Sequence, residues 1–314
     1  MTKLAIAIPT YNRASILVEN LARMLPALGQ YGIAIYVSDD SPNEETARAL
    51  AELSYPDLHY RQNTPGLGHD QNLMETLLWP EADYVWLLAD ALYPESELFE
   101  NVVQAWATQP DAIFLNYDSW FEQNRSIQGQ EDVKAFLYQQ VWHMTMTGVA
   151  IYGLRLREFL REHRTRCSFK NFPQLALIMN LLRMPNPSLV WIGARYIHVN
   201  SSKQASYWAK SDTSILTTFG SDWVRLIDSF DDIYSDAERE IMIRSHSRYR
   251  GIFTVRYFLF CRAHGLFSLM FVREHMAMIK RVTSIPYSWV EWIARIPPVF
   301  LRGIIRLKRI LVWR

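Results

Sequence analysis

The sequence predicts an α/β fold, a mostly parallel sheet with helices on both faces, followed by a helical C-terminal region. Three observations point to it. Short, β-rich, nearly all-apolar runs recur over about the first 120 residues, as strands covered on both faces require. Each run stops abruptly on a polar cluster, and helix-period segments with short links lie between them. From about residue 213 onward only helical patterns remain.

The elements follow in order. A strand over 3–8, Leu4-Ala5-Ile6-Ala7-Ile8, leads into Pro9-Thr10-Tyr11-Asn12-Arg13, and a helix over 14–29 is expected to be capped near Ser15. A second strand over 33–38 ends on Ser38-Asp39-Asp40-Ser41. The following Pro42-Asn43-Glu44-Glu45 reads as a helix start, with Pro and acids in the first turn. A third strand, about 57–61, ends on Arg61-Gln62-Asn63. The loop from Thr64 to Asn72 then opens a helix through about 79. A fourth strand, Tyr84 to Leu88, runs into Ala89-Asp90-Ala91. A helix over about 94–108 precedes a fifth strand, Ala112 to Asn116. Beyond residue 118 the pattern is irregular. Helices are expected at about 131–141 and 173–183, and one strand-like run spans Leu189 to Val199.

A chain of 314 residues suggests one large domain, or one domain with an appendage. The boundary is placed at 205/206: residues 1–205 form the α/β domain and 206–314 the helical region. An apolar fraction of 49% supports a real core. Two cysteines, Cys167 and Cys261, supply neither a disulfide framework nor a metal spacing, and they fit a reducing compartment. The N-terminal apolar run is about five residues, too short for a signal-peptide core. No stretch reaches the roughly 18 apolar residues of a membrane span. The expected location is cytoplasmic.

Net charge is only +1, but it is unevenly distributed. Residues 262–314 hold ten Lys/Arg against two acids, a balance of +8; the remainder holds 23 basic and 30 acidic residues, a balance of −7. Arg302, Arg306 and Arg309 share one helix face, with Lys308 adding charge. Trp289, Trp292 and Trp313 and several Ile and Leu residues supply apolar surface. An acidic body with a basic, Trp-containing tail reads as a peripheral protein of an anionic membrane surface, here the inner membrane. A helix packed on the catalytic domain with a solvated basic side is the plainer alternative. Nucleic acid would attract the same patch, but no nucleic-acid motif accompanies it.

In open α/β sheets the carboxyl ends of parallel strands form the ligand crevice. The first two strands therefore deliver an Asn/Arg pair and an Asp pair to one place. "IPTYNR" and "VSDDSPNEET", in this order and about 25 residues apart, resemble family 2 glycosyltransferases of the GT-A fold. The resemblance is best over residues 1–120, approximate to about 200, and absent from 210–314. It implies a Rossmann-like catalytic domain that moves a sugar from a nucleotide-sugar donor to an acceptor. By the same resemblance Asp40 contacts the base or ribose, with Asp39 beside it, and Pro9, Thr10 and Asn12 shape the base pocket. Arg13 lies near the phosphates. A carboxylate at a strand end accepts hydrogen bonds from a base N–H or ribose hydroxyls. The loop "NTPGLGHDQN", with Asn63, Gly66, Asp70 and Asn72, resembles the family's nucleotide-proximal segment, although Asp70 and Asn72 would equally serve to start the next helix.

"LLADALYPESEL" stands where the family carries its metal-binding carboxylates, which hold Mg²⁺ or Mn²⁺ against the diphosphate. Only Asp90 is present; Ala91 and Leu92 stand where further carboxylates are common. Three readings stay open: weak metal binding through Asp90 with His198 as a later ligand, a metal-free site relying on basic side chains, or a chain impaired by Ala91. The family's catalytic carboxylate also has no counterpart in Phe169-Lys170-Asn171-Phe172-Pro173-Gln174. An inverting transfer needs a base within reach of the acceptor hydroxyl, and the candidates are Asp118 and His143. In a retaining transfer the leaving phosphate takes the proton. The function implied is transfer of a hexosyl or deoxyhexosyl unit to a lipid-linked oligosaccharide in bacterial surface polysaccharide (O-antigen, lipopolysaccharide or capsule) biosynthesis. One rival is a non-catalytic nucleotide- or glycan-binding relative. A nucleotidyltransferase is disfavoured, because "PTYNRAS" replaces the Gly-rich phosphate loop expected after strand one.

Overall fold

The computed structural model describes residues 2–202 and 214–303. The chain divides into two compact units, Met1–Gln204 and Ala205–Arg314.

The first unit runs β1 (Thr2–Thr10), α1 (Ala14–Tyr31), β2 (Ala34–Asp39), α2 (Glu45–Ala51), β3 (Leu58–Gln62), α3 (His69–Leu78), β4 (Ala82–Leu87), β5 (Leu92–Pro94) and α4 (Glu97–Ala105). It continues through β6 (Ala112–Leu115), β7 (Arg125–Gln128), α5 (Gln130–Gln140), β8 (Ala150–Gly153), α6 (Leu154–Glu162), α7 (Arg164–Cys167), α8 (Pro173–Met179), β9 (Ser188–Ile192) and β10 (Ile197–Val199). Eight strands form one sheet in the order β3-β2-β1-β4-β8-β6-β9-β7. Strands β3, β2, β1 and β4 are mutually parallel. β8 is antiparallel to both of its neighbours, β4 and β6, so β6 again points the same way as β4. β9 is parallel to β6. The carboxyl ends of β1, β2, β3, β4, β6 and β9 therefore all open on one edge of the sheet.

The apolar runs behave as their composition requires. Leu4 to Ile8 and Val85 to Leu88 are at most 2% exposed, sandwiched between helices. Helix α1 buries a stripe of Ile16, Leu17, Leu21, Met24 and Leu28 at 3- and 4-residue spacing, and Gly32 closes it in the left-handed conformation at φ 62°. Trp86 is fully buried, and its indole N–H donates to the Gly148 carbonyl at 2.8 Å. That bond satisfies a donor that burial would otherwise leave costly.

Several expectations need correction. The N-cap of α1 is Arg13, with no side-chain cap bond, so Ser15 does not cap it. The helix expected over 94–108 begins at Glu97, because Leu92–Pro94 pairs with Ile197–Val199 in a separate two-stranded ribbon. The run from Leu189 to Val199 is two strands in two sheets. It breaks at Gly193, where a Cβ would lie 2.3 Å from the Glu122 backbone, so the chain turns where no side chain fits. The expected helix 173–183 is α-helical only to Met179 and tightens into a 3₁₀ turn over Asn180–Arg183. Strands β5, β7 and β8 and helix α6 were not among the expected elements.

The described part of the second unit is helical: α9 (Ser214–Thr217), α10 (Trp223–Asp228), α11 (Asp236–Ile243), α12 (Val255–Ala263), α13 (Leu269–Glu274), α14 (Met276–Val282) and α15 (Tyr287–Arg295). Ser235 and Glu238 form a reciprocal capping box at the start of α11. Arg281 makes a two-pronged ion pair with Asp228, at 2.7 and 2.8 Å, and reaches Glu240 at 2.6 Å, which ties α14 to α10 and α11. Two π-helical turns, Thr218–Asp222 and His246–Arg250, interrupt the regular helices. Arg306, Lys308, Arg309 and Trp313 lie outside the described residues.

Candidate functional site

The site is assembled from strand ends. The Asp40 N–H donates to the Thr10 carbonyl at 3.0 Å, and the Asn63 N–H to the Asp39 carbonyl at 2.8 Å, which extends the ladders one residue past β1, β2 and β3. The Asn12 N–H donates to Ser41 Oγ at 2.8 Å, with Asn12 itself in the left-handed region at φ 53°. Asn and Asp tolerate that conformation better than other L-residues.

The two aspartates of β2 have separate surroundings. Asp39 is fully buried; one oxygen accepts from the Ser41 N–H (2.9 Å) and hydroxyl, the other from Tyr60 Oη at 3.1 Å. Burial, and then the Asp39 charge, push the Tyr60 hydroxyl up to about 12, so it stays a donor near neutral pH. Asp40 is half-buried and holds the loop after β3. Its Oδ1 accepts from Asn63 Nδ2 at 2.7 Å and from the Leu67 N–H at 3.1 Å, and its Oδ2 accepts from the Gly68 N–H at 2.7 Å. At Gly66 a Cβ would come within 3.3 Å of the Asp40 carbonyl oxygen, so glycine lets the loop lie close against β2.

Asn63 also donates to Ser38 Oγ and Asn72 Oδ1, both at 3.1 Å, and Asn72 Nδ2 returns to the Ser38 carbonyl at 3.2 Å. Asn72 is 4% exposed, so it braces the loop from below. Asp70 accepts from the Asn171 N–H at 3.0 Å and pairs with His69 at 2.7 Å.

Asp90 sits past the end of β4, with its side chain 7% exposed. Its Oδ2 accepts from Thr10 Oγ1 at 3.0 Å and its Oδ1 from Arg13 Nη1 at 2.9 Å. The Asp90 carbonyl accepts from Asn20 Nδ2 at 2.8 Å, Asn20 Oδ1 accepts from Asn200 Nδ2 at 2.9 Å, and the Asn200 N–H reaches the Ala91 carbonyl at 2.9 Å. Asn20 and Asn200 are buried, and neither is among the residues expected from the sequence. The signal for Asn20 was present: it is a polar residue on the otherwise apolar stripe of α1.

A resident divalent cation does not fit this donor set. Mg²⁺ or Mn²⁺ in such a site is held by one or two carboxylates together with substrate phosphate oxygens and waters, so the protein must offer a carboxylate oxygen free to face the ion. Both Asp90 oxygens are already engaged by side chains of the chain, and Ala91 and Leu92 are buried apolar residues. His198, expected as a later ligand, is exposed and bound through Nε2 to Glu95 Oε1 at 2.5 Å. Among the described residues no group of three His, Cys, Asp or Glu could hold a metal.

Asp118 and His143 do meet. His143 is fully buried; its Nδ1 donates to Asp118 Oδ1 at 3.1 Å, and its Nε2 lies 3.1 Å from the Leu115 carbonyl oxygen and 3.4 Å from the Tyr117 N–H. The ring is walled off from solvent, whereas the Asp118 side chain is 32% exposed. Of the pair, Asp118 is the member a substrate can reach. Two residues on, Trp120 is 51% exposed and stacks on Trp142, with centroids 5.7 Å apart and planes at 16°. Neither the strand-end network nor the Asp118–His143 pair lies in one segment of sequence; β1, β2, β3, β4 and β6 each contribute through residues within three positions of the strand's end.

The family model described as Glycosyl transferase family 2 matches residues 5–167. Among solved structures, Staphylococcus aureus TarS 1-349 in complex with UDP-GlcNAc is similar at TM-score 0.56 and 11% identity, over 79% of this chain and 73% of that one. The mannosyltransferase PcManGT from Pyrobaculum calidifontis, in complex with GDP-Man and Mn²⁺, is similar at TM-score 0.54 and 14% identity, over 97% and 87% of the two chains. At such identities the likeness is one of fold. No curated protein sequence matches the chain.

Proposed function

The chain belongs to glycosyl transferase family 2 and has the GT-A fold, and from that premise we propose that it moves a sugar from a nucleotide-sugar donor to a lipid-linked glycan at a membrane surface. The observation that carries this reading is the shared edge: Arg13, Asp40 with its loop, Asp90 and Asp118 follow four strands whose carboxyl ends open together. That edge is where an α/β sheet binds nucleotides. The loop held by Asp40, the half-buried Pro9 and the exposed Asn12 supply the walls for base and ribose.

In the transfer an acceptor hydroxyl oxygen bonds to the anomeric carbon, and the bond from that carbon to the diphosphate oxygen breaks. The nucleoside diphosphate leaves with the electron pair. The hydroxyl proton goes to Asp118 in an inverting transfer, with His143 holding the carboxylate in place. In a retaining transfer the leaving diphosphate takes it. Trp120 offers an exposed ring face next to Asp118, the kind of surface on which the apolar face of a sugar stacks. The readings of Pro9, Thr10, Asn12, Arg13, Asp39, Asp40, Asn63, Gly66, Asp70, Asn72 and Asp90 as the donor site, and of surface-polysaccharide assembly as the pathway, belong to this proposal.

Calorimetry with UDP, GDP, CDP and dTDP tests the donor site. Selective binding of one nucleotide is expected. No binding of any of the four would favour a non-catalytic relative that has lost the donor.

The second unit supports the membrane part of the reading. No helix among the described residues is long and apolar enough to cross a membrane. Helix α15 buries Val290, Ile293 and Ala294 but exposes Trp289 (57%) and Trp292 (59%); Val299 and Phe300, just beyond it, are 75% and 68% exposed. Arg273 and Arg295 are exposed nearby and share Glu291 at 3.1 and 3.2 Å, which leaves a local balance of one positive charge. Indole rings beside arginines suit the headgroup level of an anionic bilayer. In co-sedimentation with vesicles containing phosphatidylglycerol, the Trp289→Ser/Trp292→Ser double variant is expected to bind on the order of tenfold more weakly. Unchanged sedimentation would show that this face does not carry membrane binding.

A further inference from the structure

Asp90 stands where the resemblance places a metal-binding carboxylate, yet the cation beside it belongs to the chain. Arg13 Nη1 lies 2.9 Å from Asp90 Oδ1, and Thr10 Oγ1 occupies the other oxygen. The contact is well shielded, with the Asp90 side chain 7% and the Arg13 side chain 22% exposed. Among the described residues no other partner engages the guanidinium, so Nε, Nη2 and the second Nη1 hydrogen are uncommitted. A guanidinium carries five N–H donors in a fixed plane and stays protonated at any working pH. One donor spent on Asp90 leaves four.

The backbone adds to this. Arg13 is also the N-cap residue of α1, an 18-residue helix with no side-chain cap and no acid in its first turn. The first turn of α1 therefore carries no capping side chain and no acid of its own. The guanidinium, held by Asp90, and the start of α1 both lie past the carboxyl ends of β1 and β4.

We infer that Arg13 is the resident cation of the donor site: clamped by Asp90, it presents its remaining donors to the diphosphate of the nucleotide-sugar, so diphosphate binding needs no divalent ion. The inference rests on the donor-site reading above and deepens it. Asp90 then acts as the anchor that aims Arg13, and Ala91 and Leu92 are not defects, because the position has no ion to complete. When the anomeric C–O bond breaks, the negative charge that develops on the departing diphosphate oxygen is met by guanidinium N–H donors and the α1 terminus. Such pre-placed donors stabilise charge without reorganisation.

The test is titration calorimetry of the full chain with the nucleoside diphosphate it selects and with the matching monophosphate, in EDTA and in MnCl₂. The diphosphate affinity of the unaltered protein is expected to agree within about twofold between EDTA and Mn²⁺. Arg13→Gln should weaken diphosphate binding by roughly 10- to 100-fold, the range for lost hydrogen bonds to charged groups, and monophosphate binding by much less. Arg13→Lys, which keeps the charge but loses the planar fork, should fall between. Diphosphate binding that vanishes in EDTA and returns with Mn²⁺ would overturn the inference and leave the donor-site reading intact. Equal weakening of mono- and diphosphate by both variants would also overturn it, since Arg13 would then only support the fold. Failure of every nucleotide to bind the unaltered protein would remove the donor-site reading and this inference with it.

Discussion

Asp118→Asn is expected to lower the rate of sugar transfer by about 10²- to 10⁴-fold, the usual contribution of a positioned general base. The affinity for the nucleoside diphosphate should stay unchanged. The amide keeps the size of the carboxylate and can still take the hydrogen bond from His143 Nδ1 through its oxygen, so the local structure has little reason to move. What it loses is the ability to accept a proton. His143 is buried and touches no solvent, so His143→Gln acts through the placement of Asp118 and should cost less. The measurement is single-turnover release of nucleoside diphosphate from the selected sugar nucleotide, in the presence of a polyprenyl-diphosphate-linked glycan. A rate within threefold of the unaltered protein would remove Asp118 from the chemistry and move the proton to the leaving diphosphate.

The second large effect is on stability in acid. His246 is completely buried, and neither ring nitrogen has a hydrogen-bond partner. It is packed edge-on against Phe219 and Trp223, with centroids 4.8 and 4.5 Å away. Burial first, and then the Arg250 charge, lower its pKa from 6.5 to about 3. Above pH 6.5 both the folded and the unfolded histidine are neutral, and the contribution is fully present. As the pH falls below 6.5 the unfolded state takes up a proton that the folded state refuses. Stability is then lost at up to about 1.4 kcal/mol per pH unit until the folded pKa is reached near pH 3. His246→Leu, similar in size and without a titrating group, should flatten the midpoint of urea unfolding between pH 6.5 and 4.5. If the variant's acid slope matches that of the unaltered protein, other groups carry the acid sensitivity.

Much of the sheet was legible because its strands announce themselves. Leu4 to Ile8 and Tyr84 to Leu88 are apolar on both faces and end on polar clusters, so strand, edge and direction follow together. Ala150–Gly153 gives no such signal: four residues with a glycine at the end hold too little pattern to separate a strand from a core turn. Arg125–Gln128 is largely exposed and polar at the sheet margin, so it reads as loop. Leu154–Glu162 has a clear 3.6-residue periodicity, and nothing physical hid it.

The site divides along the same line. That Asp40, Asn63, Arg13 and Asp90 reach one edge follows from strand polarity. What each side chain does there does not follow. Asp40 bonds backbone groups 27 and 28 residues away, and Arg13 finds Asp90 across 77 residues. Those pairings depend on strand order and on angstrom-scale placement, which no local pattern records. Asp118 and His143 were singled out separately, and only the buried side of β6 shows that one holds the other.

Strand β8 has a consequence for the chain as it is made. The four parallel strands β3, β2, β1 and β4 are complete once residue 87 has left the ribosome, and they can pair at once. β6 follows at Ala112–Leu115, a wholly apolar strand whose two partners are β8 and β9. Neither is available until residues 150–153 and 188–192 have been synthesised. For the intervening stretch of translation both edges of β6 stand open, and an apolar strand with open edges is what neighbouring nascent chains and holdase chaperones recognise. The late arrival of both partners of β6 thus sets a waiting period in biosynthesis, and pauses or truncations between residues 115 and 150 leave this strand with both edges open.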